Sequence, residues 1–231
     1  MEPFETLLEH SAQAHGHMCP GQVVGVRMAM LGCRLIGLDD PTRRGQIKKL
    51  IVYIEMDRCT ADAVAHVTGV KLGRRSLKFM DYGIMAATFV NLETGKAIRV
   101  LSTEEARDLV DLYAPEVEDK GVQQLEAYKR MPDSVLFRVQ KVLVNIAEND
   151  LPGPTRFKNL CDHCGQVVRD GREVRHNGQT LCKPCTVESY FSQAMEITWP
   201  NMNWVPEKGT SDHPESEIED LVHSMQVTAI N

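Results

Sequence analysis

Thiol and imidazole side chains are concentrated at two places in this chain, and both spacings suit metal ligation. In the segment CDHCGQVVRDGREVRHNGQTLCKPC, Cys161 and Cys164 form one C-x2-C pair; Cys182 and Cys185 form a second after seventeen intervening residues. Each pair presents two thiolates on one tight turn, and zinc takes four soft ligands in a tetrahedron. Between the pairs, Asn177-Gly178 is the dipeptide that best accepts a positive-φ hairpin turn, which would fold the second pair back onto the first. The reading is one structural zinc ion in a small ribbon, with no coordination position left open. A redox pair or an iron–sulfur cluster is the alternative, although a redox motif needs only one pair. His163 and His176 also lie in the segment, but four cysteines already satisfy the ion.

The second concentration is His15-Gly16-His17-Met18-Cys19-Pro20-Gly21. Two imidazoles and a thiol within five residues gather soft-metal chemistry in a small space. Cys19 stands at a helix entrance, where unpaired N–H groups and the helix dipole favour a thiolate. The bland alternative is a solvated histidine pair on a turn beside a buried cysteine. Cys59 has a similar setting, where an apolar strand feeds a helix, and Asp62 and His66 follow it at i+3 and i+7. A metal site built from His17, Cys19 and Cys59 would hold a second zinc or another transition metal with an open position. Asp62 would orient a ligand or act as base, and His15 would sit beside it; Cys59, Asp62 and His15 are the candidate catalytic residues. Cys33 lies inside an apolar helix and reads as core, and His66 alone reads as structural.

Positioning these groups requires particular elements. Phe4, Leu7, Leu8 and Ala12 predict a helix over 4–15. Pro20 suits the first turn of a second helix and Gly37 its stop. Gly21, Gly25, Ala29 and Gly32 near one face of that helix call for a closely packed partner helix, in the same chain or in a second subunit. LIVYIEM (50–56) predicts a buried strand, and 57–69 a helix ended by Gly69. Residues 77–101 predict a hairpin broken at 81–83 and turned at 93–96, and Ser102 to Glu105 is a capping-box pattern for a following helix. A helix near 121–130 and a strand within 135–146 complete the domain. The fold class is α+β, a mixed sheet with packed helices, followed by a zinc-ribbon module. The expected division is a core domain over 1–150, a linker and ribbon over 151–200, and an extension over 201–231, with a short helix over 218–227.

The chain has 231 residues, 42% hydrophobic content and a net charge of −6, which argues against a protein whose main work is neutralising phosphates. The ribbon segment balances Arg169, Arg172, Arg175 and Lys183 against Asp162, Asp170 and Glu173, so it has no basic face for nucleic acid. No apolar run approaches the roughly 20 residues of a membrane span. The acidic N-terminus lacks a signal-peptide layout, and seven cysteines, four in metal-type spacing, suit a reducing compartment. The expectation is a cytoplasmic protein.

Taken in order, HGHMCPGQVVGVRMAMLG and then EMDRCTADAVAHVTG resemble the E-subunit family of formylmethanofuran dehydrogenase, over roughly residues 10–190. The resemblance implies an α+β domain with a C-terminal zinc module. It also implies that His15, His17, Cys19, Cys59 and Asp62 converge on one site. Gly69, Gly73 and the Asp81-Tyr82-Gly83 turn match the family's glycine-rich and D-x-G positions. One departure is the helix near Val64 and Ala65, where the family carries a polar, often amide, residue and this chain offers only His66. The resemblance further implies a homodimer and an association with a molybdenum- or tungsten-dependent dehydrogenase. The alternatives to a metal-dependent site of unknown reaction are an accessory component of that system and a nucleic-acid-binding ribbon.

Overall fold

An apolar stripe on one helix and a run of small residues on the next determine how the first half of the chain packs. In the computed structural model, which describes residues 1–186, 189–198 and 226–229, the chain divides into two compact units, Met1–Thr155 and Arg156–Asn231. In the first unit, α1 (Phe4–His15) buries Leu7, Leu8, Ser11 and Ala12 and stops at Gly16, whose φ of 98° only glycine takes readily. Helix α2 (Pro20–Leu35) starts with Cys19 as its N-cap and Pro20 in its first turn, and most of its residues are buried. Strand β1 (Leu50–Ile54) leads into α3 (Cys59–Thr68), which Gly69 ends at φ 70°. The remaining strands are β2 (Leu77–Phe79), β3 (Ala86–Asn91), β4 (Ala97–Ser102) and β5 (Phe137–Lys141), in the sheet order β2-β1-β3-β4-β5.

The sheet is mixed. Strand β2 runs parallel to β1, whereas β1–β3, β3–β4 and β4–β5 are antiparallel. Leu50, Val52, Ile54, Phe89, Ile98 and Val100 point to one face and join Val23, Val26 and Met28 of α2 in one core. Period-two alternation carries these strand residues to a common side.

The small-residue face of α2 finds its partners in this chain. A Cβ on Gly25 would lie 2.5 Å from the Ala63 Cβ and 2.8 Å from the Thr60 carbonyl oxygen, and one on Gly21 would lie 2.9 Å from the Cys59 Cβ. Gly32 sits flat against the Phe89 ring of β3. The glycines therefore let α3 approach α2 at backbone range, and this face is not free for a second subunit.

Two local expectations are corrected. The segment 77–101 is not one hairpin: β2 crosses back beside β1 after α3, and the hairpin is β3–β4 alone, turned at residues 92–96. The capping box at 102–105 does not form. Glu104 is the N-cap of the short α4 (Glu105–Asp108) without a side-chain cap, and Thr103 donates its hydroxyl to the Val135 carbonyl instead. A second turn, α5 (Val110–Tyr113), follows separately; α6 (Lys120–Arg130) is capped by the Asp119 carboxylate at the Val122 amide, and α7 (Asp133–Leu136) precedes β5.

The second unit is built from short hairpins: β6 (Lys158–Leu160) with β7 (Val167–Arg169), and β8 (Val174–His176) with β9 (Gln179–Leu181). Asn177 (φ 49°) and Gly178 (φ 80°) form the β8–β9 turn, as their types predict. Strands β10 (Met195–Thr198) and β11 (Gln226–Ala229) are antiparallel. The helix expected over 218–227 lies largely outside the described residues, and its last two residues begin β11. Among the described residues no helix is long and apolar enough to cross a membrane.

Candidate metal centres

The four cysteines of the second unit converge. Cys161, Cys164, Cys182 and Cys185 place their sulfurs within 4.8 Å of one another. Cys164 Sγ lies 3.7 Å from Cys182 Sγ. A tetrahedral ion with metal–sulfur bonds of about 2.3 Å requires sulfur–sulfur edges of about 3.8 Å, so this spacing fits zinc geometry. Amides of Cys164 and Cys182 donate to the Cys161 sulfur, the latter from 3.2 Å, and hold the Cys161 thiol down at about 6. Burial and then the neighbouring sulfurs push Cys185 up. Four thiolates this close cannot all ionise without a cation among them. Gly165, at φ 70°, turns the chain after the first pair, and its amide donates to the Cys161 carbonyl from 2.9 Å. His163 and His176 lie outside the sulfur group.

The first unit carries a second group. His15, the last residue of α1, His17 in the turn, and Cys19, the N-cap of α2, bring one ligand atom each within 4.8 Å of the others. The two imidazole rings lie 4.7 Å apart. His15 Nδ1 is 3.0 Å from Asp62 Oδ2, on the first turn of α3. A carboxylate can only accept, so Nδ1 carries the proton and donates it, leaving the Nε2 lone pair free. That Nε2 is buried and has no hydrogen-bond partner, although the Asp62 side chain beside it is 67% exposed. A buried ring nitrogen with no partner is costly unless something binds it. A histidine held through one nitrogen by a carboxylate, with the other aimed into a ligand cluster, is the arrangement by which proteins orient metal-bound imidazoles.

Cys59 borders this group through Cys19. Burial, followed by the hydrogen bond and charge of the Cys19 thiol, pushes the Cys59 thiol up. Gly21 lies between the two cysteines: a Cβ there would sit 2.9 Å from the Cys59 Cβ and 3.7 Å from the Cys19 sulfur. The set drawn from spacing, His17, Cys19 and Cys59, thus becomes His15, His17 and Cys19 with Cys59 beside it. His66 is exposed farther along α3 and takes no part, and Cys33 is fully buried, its thiol pushed up to about 12 by burial.

Gln22 is a residue that motif spacing does not single out. Its amide is fully buried, accepts from Ser11 Oγ at 2.6 Å and donates to the Cys59 carbonyl at 2.8 Å. It ties α1, α2 and the start of α3 together directly beneath the site. A signal does exist, since Gln22 is the lone polar side chain among PGQVVGV.

Residues 14–139, more than half of the chain and all of the first-unit group, match the family model described as FmdE, molybdenum formylmethanofuran dehydrogenase operon. A protein of Archaeoglobus fulgidus named as a probable S-adenosyl-L-methionine-binding protein is 30% identical over 195 residues, covering 74% of this chain and 52% of the relative. The chain thus spans about half the length of that curated relative. Among solved structures, an FmdE-like protein of the tungsten formylmethanofuran dehydrogenase type from Syntrophus aciditrophicus matches with a TM-score of 0.53 at 17% identity. The match covers 82% of this chain and 95% of that one, and shows a shared fold.

Proposed function

The chain belongs to the FmdE family, and from that premise we propose that it is a protein of two metal centres, one structural and one with an open position. Cys161, Cys164, Cys182 and Cys185 hold the structural ion, and four soft sulfurs at tetrahedral spacing select zinc. His15 Nε2, His17 and Cys19 hold the second, for which zinc or another late transition metal suits two imidazoles and a thiolate. Such an ion would supply Lewis acidity and a vacant site for an exogenous ligand. Asp62 fixes the tautomer and direction of the His15 ring, and Gln22 fixes the backbone that carries Cys59 beside the vacant position. The observation that carries this reading is the buried, unpartnered His15 Nε2 behind an Asp62-held Nδ1.

Metal counting on the full-length protein, purified without added metal, tests it. Two equivalents per chain are expected, falling to one in His15→Ala/Cys19→Ala. A single equivalent that this variant leaves unchanged would overturn the second centre. The curated relative's name supplies the first exogenous ligand to try there, S-adenosyl-L-methionine, although this chain spans only half of that protein.

A second reading rests on the family's operon description: an accessory component of a molybdenum- or tungsten-dependent dehydrogenase. Recovery of such an enzyme's components with the tagged protein from native extract supports it. A homodimer now rests on family resemblance alone, because the glycine face of α2 is occupied within the chain.

A further inference from the structure

Two loops of the first unit carry a charge pattern that neither metal centre uses. Residues 42–49 (TRRGQIKK) and 71–78 (KLGRRSLK) each contain four cations and no acid, in a chain whose net charge is −6. The fold brings them together. A concavity of about 700 Å³ is lined by Ile47, Lys48, Gly73, Arg74, Ser76 and Pro152, with Gly153 closing its rim. A volume of this size suits a small organic ligand.

The cations divide into two sets. Arg43 is paired with Asp40, Lys49 with Glu93, and Arg75 and Lys78 with Asp150. Lys48 and Arg74, the two that line the concavity, face no carboxylate among the described residues, and Arg44 and Lys71 on the same loops are exposed. Uncompensated positive charge on low-dielectric walls raises the local concentration of anions. The walls are not only cationic. Ile47 and Pro152 offer apolar surface, Gly73 presents bare backbone, and Ser76 is buried with its hydroxyl held at the Lys71 backbone.

We infer that this concavity binds a small organic phosphate, with the anion between Lys48 and Arg74 and its apolar or planar part against Ile47 and Pro152. The place is separate from the candidate metal centre. Helix α3 carries Cys59 and Asp62 at its start, while Gly69, beyond its far end, contacts Ile47; ten residues at about 1.5 Å each separate the two.

Isothermal titration of the metal-replete, full-length chain tests the inference with AMP, ATP, inorganic phosphate, adenosine and a single-stranded oligonucleotide. The expected result is saturable binding of the nucleotides, weakened by salt, with phosphate weaker and adenosine silent. Lys48→Glu/Arg74→Glu should reduce nucleotide affinity by about tenfold or more while metal content stays unchanged, which separates this site from the metal reading. Lys48→Ala/Arg74→Ala gives a smaller loss and serves if charge reversal perturbs folding. No saturable nucleotide binding up to about 10 mM, equal binding by the variants, or preference for the oligonucleotide would overturn it.

Discussion

The two nitrogens of His15 are treated differently, and the chemistry assigned to the first unit follows from that difference. Asp62 holds one and nothing holds the other. Removing the carboxylate frees the ring to rotate and lowers its basicity, and comparable outer partners of metal-bound histidines are worth about 10–100-fold in metal affinity. Asp62→Ala should therefore weaken the second centre by about that factor in competition with a chromophoric chelator. It should change folding stability by less than about 0.5 kcal/mol, because the side chain is largely exposed. The neighbouring exposed Asp57→Ala should change neither. The candidate residues were legible from type and spacing, since HGHMC and the later Cys59 and Asp62 are rare combinations. Their division of labour was not. Which imidazole a carboxylate would hold depends on α1 stopping at Gly16 and on α3 lying across α2, relationships between residues 47 positions apart.

At the scale of elements, the site is assembled by a helix contact rather than by a loop. Gly21 and Gly25 allow α3 to pack at backbone distance on α2, and α3 carries Cys59 and Asp62 to the His15 group. Gly25→Val would drive a side chain into the Ala63 methyl and the Thr60 carbonyl, neither of which can swing aside. It should cost about 1–3 kcal/mol in urea unfolding and also reduce metal retention, because α3 and Asp62 would be displaced. A loss of stability with metal affinity unchanged would contradict this placement. Strongly periodic elements could be read directly: α1, β1 and α3 fall where their apolar spacing, Pro20 and Gly69 place them. The sheet order could not, because the short, half-exposed β2 pairs in parallel with β1 only after the α3 crossover, a long-range choice that leaves no local trace. The capping-box pattern misled for a related reason. Thr103 is drawn to the Val135 carbonyl by tertiary contact, which overrides its local option.

As a whole molecule, the chain divides its stability unevenly. The first unit has an extensive apolar core around α2 and the sheet, whereas the buried cluster of the second consists of Cys161, Leu181 and Cys182, with Cys164, Val168 and Cys185 packed on it. A unit whose core is largely ligand sulfur depends on its ion for folding, while the first unit holds its shape by burial and needs metal only for its chemistry. This division makes the central claim testable with the structural site removed. The most direct measurement is the metal content and X-ray absorption spectrum of full-length Cys161→Ser/Cys164→Ser, purified without added metal. One equivalent per chain, bound by both nitrogen and sulfur, is the predicted result; a metal-free protein with an intact first unit would contradict the account.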